Sequence, residues 1–134
     1  MYQLPFKTRI QQTPLKGLGV FAVNHIKQGE IIERCPVLIV SKANRQNLYE
    51  QHGILRNYTF QWAEDIAITW GYGSLYNHSS RPNAIYYRDL QSNTMIFQSL
   101  IDISPGEEIC TSYGNDSYFE TKNYKIIDER KYGN

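Results

Sequence analysis

The residues of this chain best suited to chemistry are an Asn77-His78-Ser79 turn and a strand that ends in Tyr113-Gly114. Between them stand Pro82-Asn83 and the turn Pro105-Gly106-Glu107-Glu108. An asparagine amide offers both donors and an acceptor to a polar ligand. A tyrosine hydroxyl can orient a reacting group, but its reference pKa of about 10 makes it a poor base near neutrality. In this order and at this spacing, the two strings suggest a ligand-holding turn set beside a working tyrosine. Metal chemistry is disfavoured, because His78 has no second histidine, cysteine or acid near it in sequence. A Ser-His-Asp arrangement also fails, since no serine sits on a nucleophile turn. Upstream, Lys16-Gly17-Leu18-Gly19 carries glycines that let a backbone approach a ligand closely. They precede a β-prone run rather than a helix, so the dinucleotide fingerprint is not met. Each feature alone is also ordinary: a tight turn, a hydrogen-bonded turn, a packed strand tyrosine.

The elements that must position these residues are short and mostly extended. Residues 5–12 predict an edge strand, because Pro5 confines it to an edge or a strand start. Val20-Phe21-Ala22-Val23 is a short β-prone run, and Lys27-Gln28-Gly29-Glu30 is a turn. Glu30 to Val40 reads as a strand interrupted near Pro36. The polar stretch from Ser41 to Asn57 predicts a partly helical insert, with Ser41 as a cap and Gly53 ending it. Tyr58 to Trp62 and Ile66 to Trp70 flank Ala63-Glu64-Asp65 as a hairpin. Gly71-Tyr72-Gly73 bends the chain toward Asn77. Residues 84–89 and 94–100 form a second hairpin. Ser104-Pro105-Gly106-Glu107 is a turn, and Glu108 to Ser112 a last strand. Neither repeats nor a linker interrupt the chain, so these strands predict one compact β domain.

Composition narrows the function classes. The 134 residues suffice for one domain with one core. Fourteen basic against 13 acidic residues, a net charge of +1, argue against an extended nucleic-acid surface. No apolar run is long enough to span a bilayer, and the start lacks a signal-peptide apolar core. The expectation is a protein made without export, with no direct nucleic-acid or membrane partner. Cys35 and Cys110 form no CxxC or Cys/His cluster, so they read as two core thiols and no metal site is expected. Eleven tyrosines are many for this length, and a β-rich fold accounts for most of them. His25 and His52 read as surface residues, and Glu107 and Glu108 as turn and packing residues.

The strings GLGVFA, YNHSSRPNA and GEEICTSYG, in this order, resemble the motif set of SET-domain protein-lysine methyltransferases. The likeness runs from about Lys16 to Phe119 and fits a small stand-alone SET protein of the viral or bacterial kind. It implies a mainly β, β-clip fold of small sheets with a C-terminal pseudoknot. One domain would fill residues 1–134, with a core at about 14–119 and a charged tail at 120–134. It implies methyl transfer from S-adenosyl-L-methionine to a lysine amine of a protein substrate, a histone or another protein. By position, Lys16, Gly17, Leu18, Gly19, Asn77, His78, Tyr113 and Phe119 would hold the cofactor. Tyr113 matches the family's catalytic tyrosine, and Tyr58 a tyrosine near the methyl group. Tyr58, Tyr86 and Tyr118 would line the lysine channel.

The chain departs from the family in three places. No cysteine-rich zinc module follows the catalytic strand, so Tyr118 and Phe119 must close the site. Ser80 stands for the usual cysteine after Asn-His-Ser, and Ser74 for an arginine often found upstream. These changes bear on cofactor affinity more than on reaction type. The alternative class is a catalytically silent SET-like module that binds a protein. A homodimer is compatible with the sequence, which has no feature that decides it. The compartment expected is cytoplasmic for a bacterial protein, and intracellular or host-nuclear for a viral or secreted one.

Overall fold

The computed structural model describes residues 1–112. Tyr113, Tyr118, Phe119 and the 120–134 tail lie outside the described residues. Among the described residues, nine strands and one α-helix follow in order: β1 Thr8–Gln12, β2 Leu18–Ala22, β3 Ile31–Val40, α1 Lys42–Gln51, β4 Thr59–Trp62, β5 Asp65–Thr69, β6 Asn77–His78, β7 Ala84–Asp89, β8 Thr94–Ser99 and β9 Glu108–Thr111. Short 3-10 turns occupy Gly53–Tyr58 and Gly73–Leu75. One sheet runs β1-β2-β9-β6, and the other β4-β5-β3-β8-β7. The mainly β architecture is the one expected.

The larger sheet is built around β8, whose six residues are all buried. Its Met95 and Phe97 pack with Cys35, Tyr86, Ile103 and Ile109 in the core, and Ile96 is buried on the other face. Here the run reads continuously apolar because the strand is covered on both faces. β3 is one continuous strand and not the interrupted one expected, because the chain does not break at Pro36. Instead it changes partner there. Residues up to Pro36 pair with β8, and Val37 to Val40 pair with β5. Proline lacks an N–H, so the changeover point is where it disturbs a ladder least. Its carbonyl still accepts from Trp70 N, at 3.0 Å.

The sheet curls until its two edge strands meet. The Phe60 ring of β4 stands edge-on to the Tyr86 ring of β7, 5.0 Å between centroids. Arg88 donates Nε–H to the Gln61 carbonyl across the same seam. Tyr86, Phe97 and Tyr76 continue inward as a run of rings, the last two stacked at 4.3 Å.

The insert before this seam is more regular than its composition implies. Helix α1 begins after Ser41, but the serine hydroxyl makes no cap bond. Asp65 of β5 instead accepts the Lys42 N–H at 2.8 Å, satisfying an orphan donor of the first turn. Tyr58 belongs to the 3-10 turn rather than to the strand expected there.

A carboxylate is buried beneath the second 3-10 turn. Glu33 is 2% exposed, and it accepts from the Tyr76 hydroxyl at 2.7 Å and from Tyr72 N at 2.9 Å. Gly71 permits this approach. Its φ is +76°, and a Cβ there would run into Glu33 Oε2. Burial pushes the Glu33 carboxyl above its ordinary value of 4.5, although bonds from Tyr76, Tyr72 and Cys35 oppose the rise. Burial also raises the Tyr76 hydroxyl, and the neighbouring Glu33 adds to the effect, so Tyr76 remains a donor.

This arrangement has a defined pH signature. Between the ordinary carboxylate value and its raised folded value, Glu33 holds more protons in the folded chain than in the unfolded one. Its contribution to stability therefore falls as pH rises through that window. Urea unfolding of the wild type and Glu33→Gln should show the difference shifting toward the wild type as pH is lowered from neutrality. A difference independent of pH would refute this.

Candidate active-site cleft

The late segments come together through a very short parallel pairing. β6 has two residues, and Asn77 and His78 lie opposite Cys110 and Thr111 of β9. Such a pair adds little stability by itself. Asn83 reinforces it with its side chain. Its Nδ2 donates to the Glu108 carbonyl and its Oδ1 accepts from Cys110 N, both at 2.8 Å. The amide thus acts as one more peptide unit of the ladder. Ser79 N and Asn83 N donate to the Thr111 and Cys110 carbonyls, at 2.9 and 3.2 Å. The Pro82-Asn83 pair earns its prominence in the sequence through this side chain.

Asn77 is fixed by two acceptors. Its Nδ2 donates to the Leu18 carbonyl at 3.0 Å and to Glu108 Oε2 at 2.8 Å. A carbonyl and a carboxylate can only accept, which settles how the amide is oriented. Both amide hydrogens are engaged, and among the described residues Oδ1 remains as an acceptor for a cationic or N–H donor.

Glu108 is thereby more than the turn and packing residue expected from sequence. Its other oxygen lies 3.5 Å from Lys16 Nζ. It also stands against Gly19, where a Cβ would come within 2.6 Å of Oε2 and 3.0 Å of Asn77 Nδ2. A side chain at Gly19 would have to displace the Glu108 carboxylate, Thr13 Cγ2 at 2.9 Å or the Asn77 amide, so glycine suits this close approach. The role of Glu108 is hidden in the sequence because its partners Lys16 and Asn77 are remote along the chain. An acid at the first position of the strand facing the glycine loop is the signal that marks it.

A cleft of about 650 Å³ opens between this cluster and the seam of the curled sheet. Lys16, Gly17, Leu18 and Asn77 line one part of it, and Tyr58, Phe60, Tyr76, Tyr86 and Thr111 line others. Of the described residues singled out from sequence, Gly19 and His78 are not on the lining. Gly19 sits behind Asn77 and Glu108. His78 is exposed beside Asn77, opposite Thr111. Tyr58 is 45% exposed and Tyr86 is 6% exposed, so they stand at different depths. Ser74, in the place of an expected arginine, donates to the Tyr58 carbonyl at 3.0 Å and bonds Thr69 Oγ1 at 3.0 Å. It braces the segment that carries Tyr58.

The thiols take no part in nucleophilic chemistry. Both are buried. Burial pushes the Cys110 thiol up to about 11, with the Glu108 charge adding to the rise. Burial pushes Cys35 up further, assisted by Glu33. Both are neutral near neutral pH, as core thiols are. Among the described residues, no group of three or more His, Cys, Asp or Glu side chains could hold a metal ion.

The chain is similar to known proteins over most of its length. A family model described as SET domain matches residues 17–114. A Schizosaccharomyces pombe protein, histone-lysine N-methyltransferase, H3 lysine-37 specific, is 39% identical over 115 residues, covering 83% of this chain and 76% of that protein. The crystal structure of a Plasmodium falciparum protein, provisionally assigned as a histone methyltransferase, superposes with a TM-score of 0.68. It is 34% identical and covers 85% of this chain and 96% of its own.

The Gly19 contact is directly testable. Gly19→Ala should displace Glu108 or Asn77 and cost about 1–3 kcal/mol in denaturant unfolding. The side-chain amide resonances of Asn77 should move with it. Unchanged stability together with an unshifted Asn77 amide would show that the glycine is not needed for this packing.

Proposed function

Because the chain belongs to the SET-domain family and is a protein-lysine methyltransferase, we propose that the cleft is its active site, with S-adenosyl-L-methionine at the Gly17–Asn77 end and the target lysine at the Tyr58–Tyr86 end. The observation that supports this reading is the convergence of four separate segments on one cleft. They are the Lys16-Gly17-Leu18 loop, the Tyr58–Phe60 segment, the Asn77 strand and the Tyr86 strand. Residues 1–134 form a single domain in this proposal.

The residues present fit the cofactor's chemistry. Asn77 Oδ1 is an acceptor matched to the amine of the methionine moiety. Lys16, paired with Glu108, sets a cation near the same end. When bound, S-adenosylmethionine supplies a methyl group carried on a positively charged sulfur. Lys16 to Gly19 and His78 are assigned to contacts with it, largely through backbone atoms. Phe119 is assigned to its adenine face, Tyr118 to the closure of the lysine channel, and Tyr113 to orientation of the amine at the reacting centre.

The lysine must arrive as the neutral amine. With a reference pKa of about 10.4, deprotonation near pH 7 costs roughly 4 to 5 kcal/mol at about 1.36 kcal/mol per unit. Phe60 and Tyr86 desolvate the ammonium and lower that cost. Their ring faces also stabilise cationic charge as it passes to nitrogen. No covalent enzyme intermediate is required, so the rate enhancement rests on orientation and electrostatics. The name of the fission-yeast relative makes histone H3 a first substrate to test.

Methyl transfer from labelled cofactor to core histones and to a broad panel of other proteins tests the assignment. Tyr113→Phe should lower kcat by about 100-fold or more, while calorimetric affinity for S-adenosylhomocysteine changes less than about threefold. Retention of full activity by Tyr113→Phe would remove that tyrosine from the mechanism. The Tyr86 hydroxyl is proposed to restrict room around the amine, favouring mono- or dimethylation. Tyr86→Phe should raise the trimethyl-lysine fraction seen by mass spectrometry, and abundant trimethylation by the unaltered protein would contradict that role.

A further inference from the structure

The charge on the cleft wall points to a preference in the substrate. Lys16, Arg56 and Arg88 line the cleft, and among the described residues no Asp or Glu does. Lys16 is answered by Glu108, just behind the wall. Arg56 and Arg88 have no ion-pair partner among the described residues. Both are nevertheless held in position. Arg56 lies over the Tyr49 ring of α1, 4.4 Å from its centroid. Arg88 is half-buried, and its Nε is tied to the Gln61 carbonyl.

Arg88 has the geometry of a reader. It follows Tyr86 by two residues on β7, so both side chains lie on one face of the strand. Its guanidinium carbon is 5.8 Å from the Tyr86 ring centroid. Guanidinium offers five N–H donors in a rigid fork, and among the described residues only the Nε–H is engaged, with Gln61. The remaining edge suits a carboxylate, which it can grip with two parallel bonds. Two strand residues span about 7 Å, roughly one to two residues of an extended peptide. A lysine entering beside Tyr86 would therefore bring an adjacent side chain to Arg88.

We propose that Arg88, with Arg56 on the neighbouring wall, selects target lysines that have an acidic residue one or two positions away. This rests on the methyltransferase reading of the cleft. The two guanidiniums repel basic flanks and leave an acidic flank paired, which is how charge complementarity sets partner choice. A carboxylate drawn to Arg88 is neutralised there, so it does not hold the target lysine in its charged form.

A peptide library with one lysine and randomised flanking positions tests the proposal, with products read by mass spectrometry. The wild type should enrich Asp and Glu at one or both near positions by about fivefold to tenfold. Arg88→Gln should remove most of the enrichment through KM rather than kcat. Arg88→Lys should keep part of it, and Arg88→Glu should shift it toward Lys and Arg flanks. Such a shift requires a folded, active variant, so it separates recognition from damage to the fold. Product formed with no acidic preference overturns the proposal and leaves methyl transfer intact. Absence of product from every peptide overturns both. If Arg88→Gln instead weakens S-adenosylhomocysteine binding and leaves peptide choice unchanged, the carboxylate held is the cofactor's own, and the substrate proposal is wrong.

Discussion

The parallel contact between β6 and β9 is the constraint on which the cleft depends. Parallel neighbours need a crossover between them, so this contact joins segments that close a long loop. Two residues of ladder cannot offset that closure entropy alone. The structure adds side-chain amides at both ends of the contact. Asn83 extends the ladder by bonding to Glu108 and Cys110, and Asn77 ties β6 to Glu108 and to the glycine loop. One acid, Glu108, therefore holds three parts of the cleft in register through its backbone and its carboxylate. Loss of any of these bonds would leave a partly buried donor or acceptor unpaired, which is the expensive outcome for a polar group.

The opposite wall is held differently. There the seam of the curled sheet consists of rings and one guanidinium, and its support runs inward from Tyr86 through Phe97 to Tyr76. Tyr76 ends on Glu33, whose carboxylate also receives the N–H of Tyr72. A buried acid is a costly foundation unless each oxygen has partners. Here both oxygens do, and the bend at Gly71 exists to deliver one of them. The bulge in β3 next to Glu33 belongs to the same construction, because the register shift lies between Ile31 and Glu33.

Much of the fold was legible from local pattern. The two hairpins, the Ser104–Glu107 turn and the edge position of the first strand follow from alternation and turn chemistry, which act over a few residues. The clustering of Lys16 to Leu18 with Asn77, Tyr58 and Tyr86 was legible only through ordered motifs, since no periodicity connects them. What stayed hidden was long-range. Pro36 looks like a break, yet it marks where a strand trades one neighbour for another, and both neighbours come later in the chain. Ser41 looks like a cap, but Asp65 from the facing strand does the work. Glu108 looks like a turn residue because its partners are Lys16 and Asn77, and nothing near Glu108 announces either. Arg88 sits in an ordinary strand and acquires meaning only when the sheet curls Gln61 onto it.

That curl has a consequence for how such a protein can change. Where edge strands are joined by backbone bonds, altering a side chain leaves the join intact but also leaves its width unchanged. Here β4 and β7 meet through the side chains of Phe60, Tyr86 and Arg88, the last reaching the Gln61 carbonyl, so the bore of the cleft is written largely in side chains. A substitution at one of those positions resizes or recharges the opening while the ladders behind it, from β5 through β3 to β8, keep their register. The scaffold is thereby separated from the aperture, and new substrate preferences are reachable in single steps without refolding the chain.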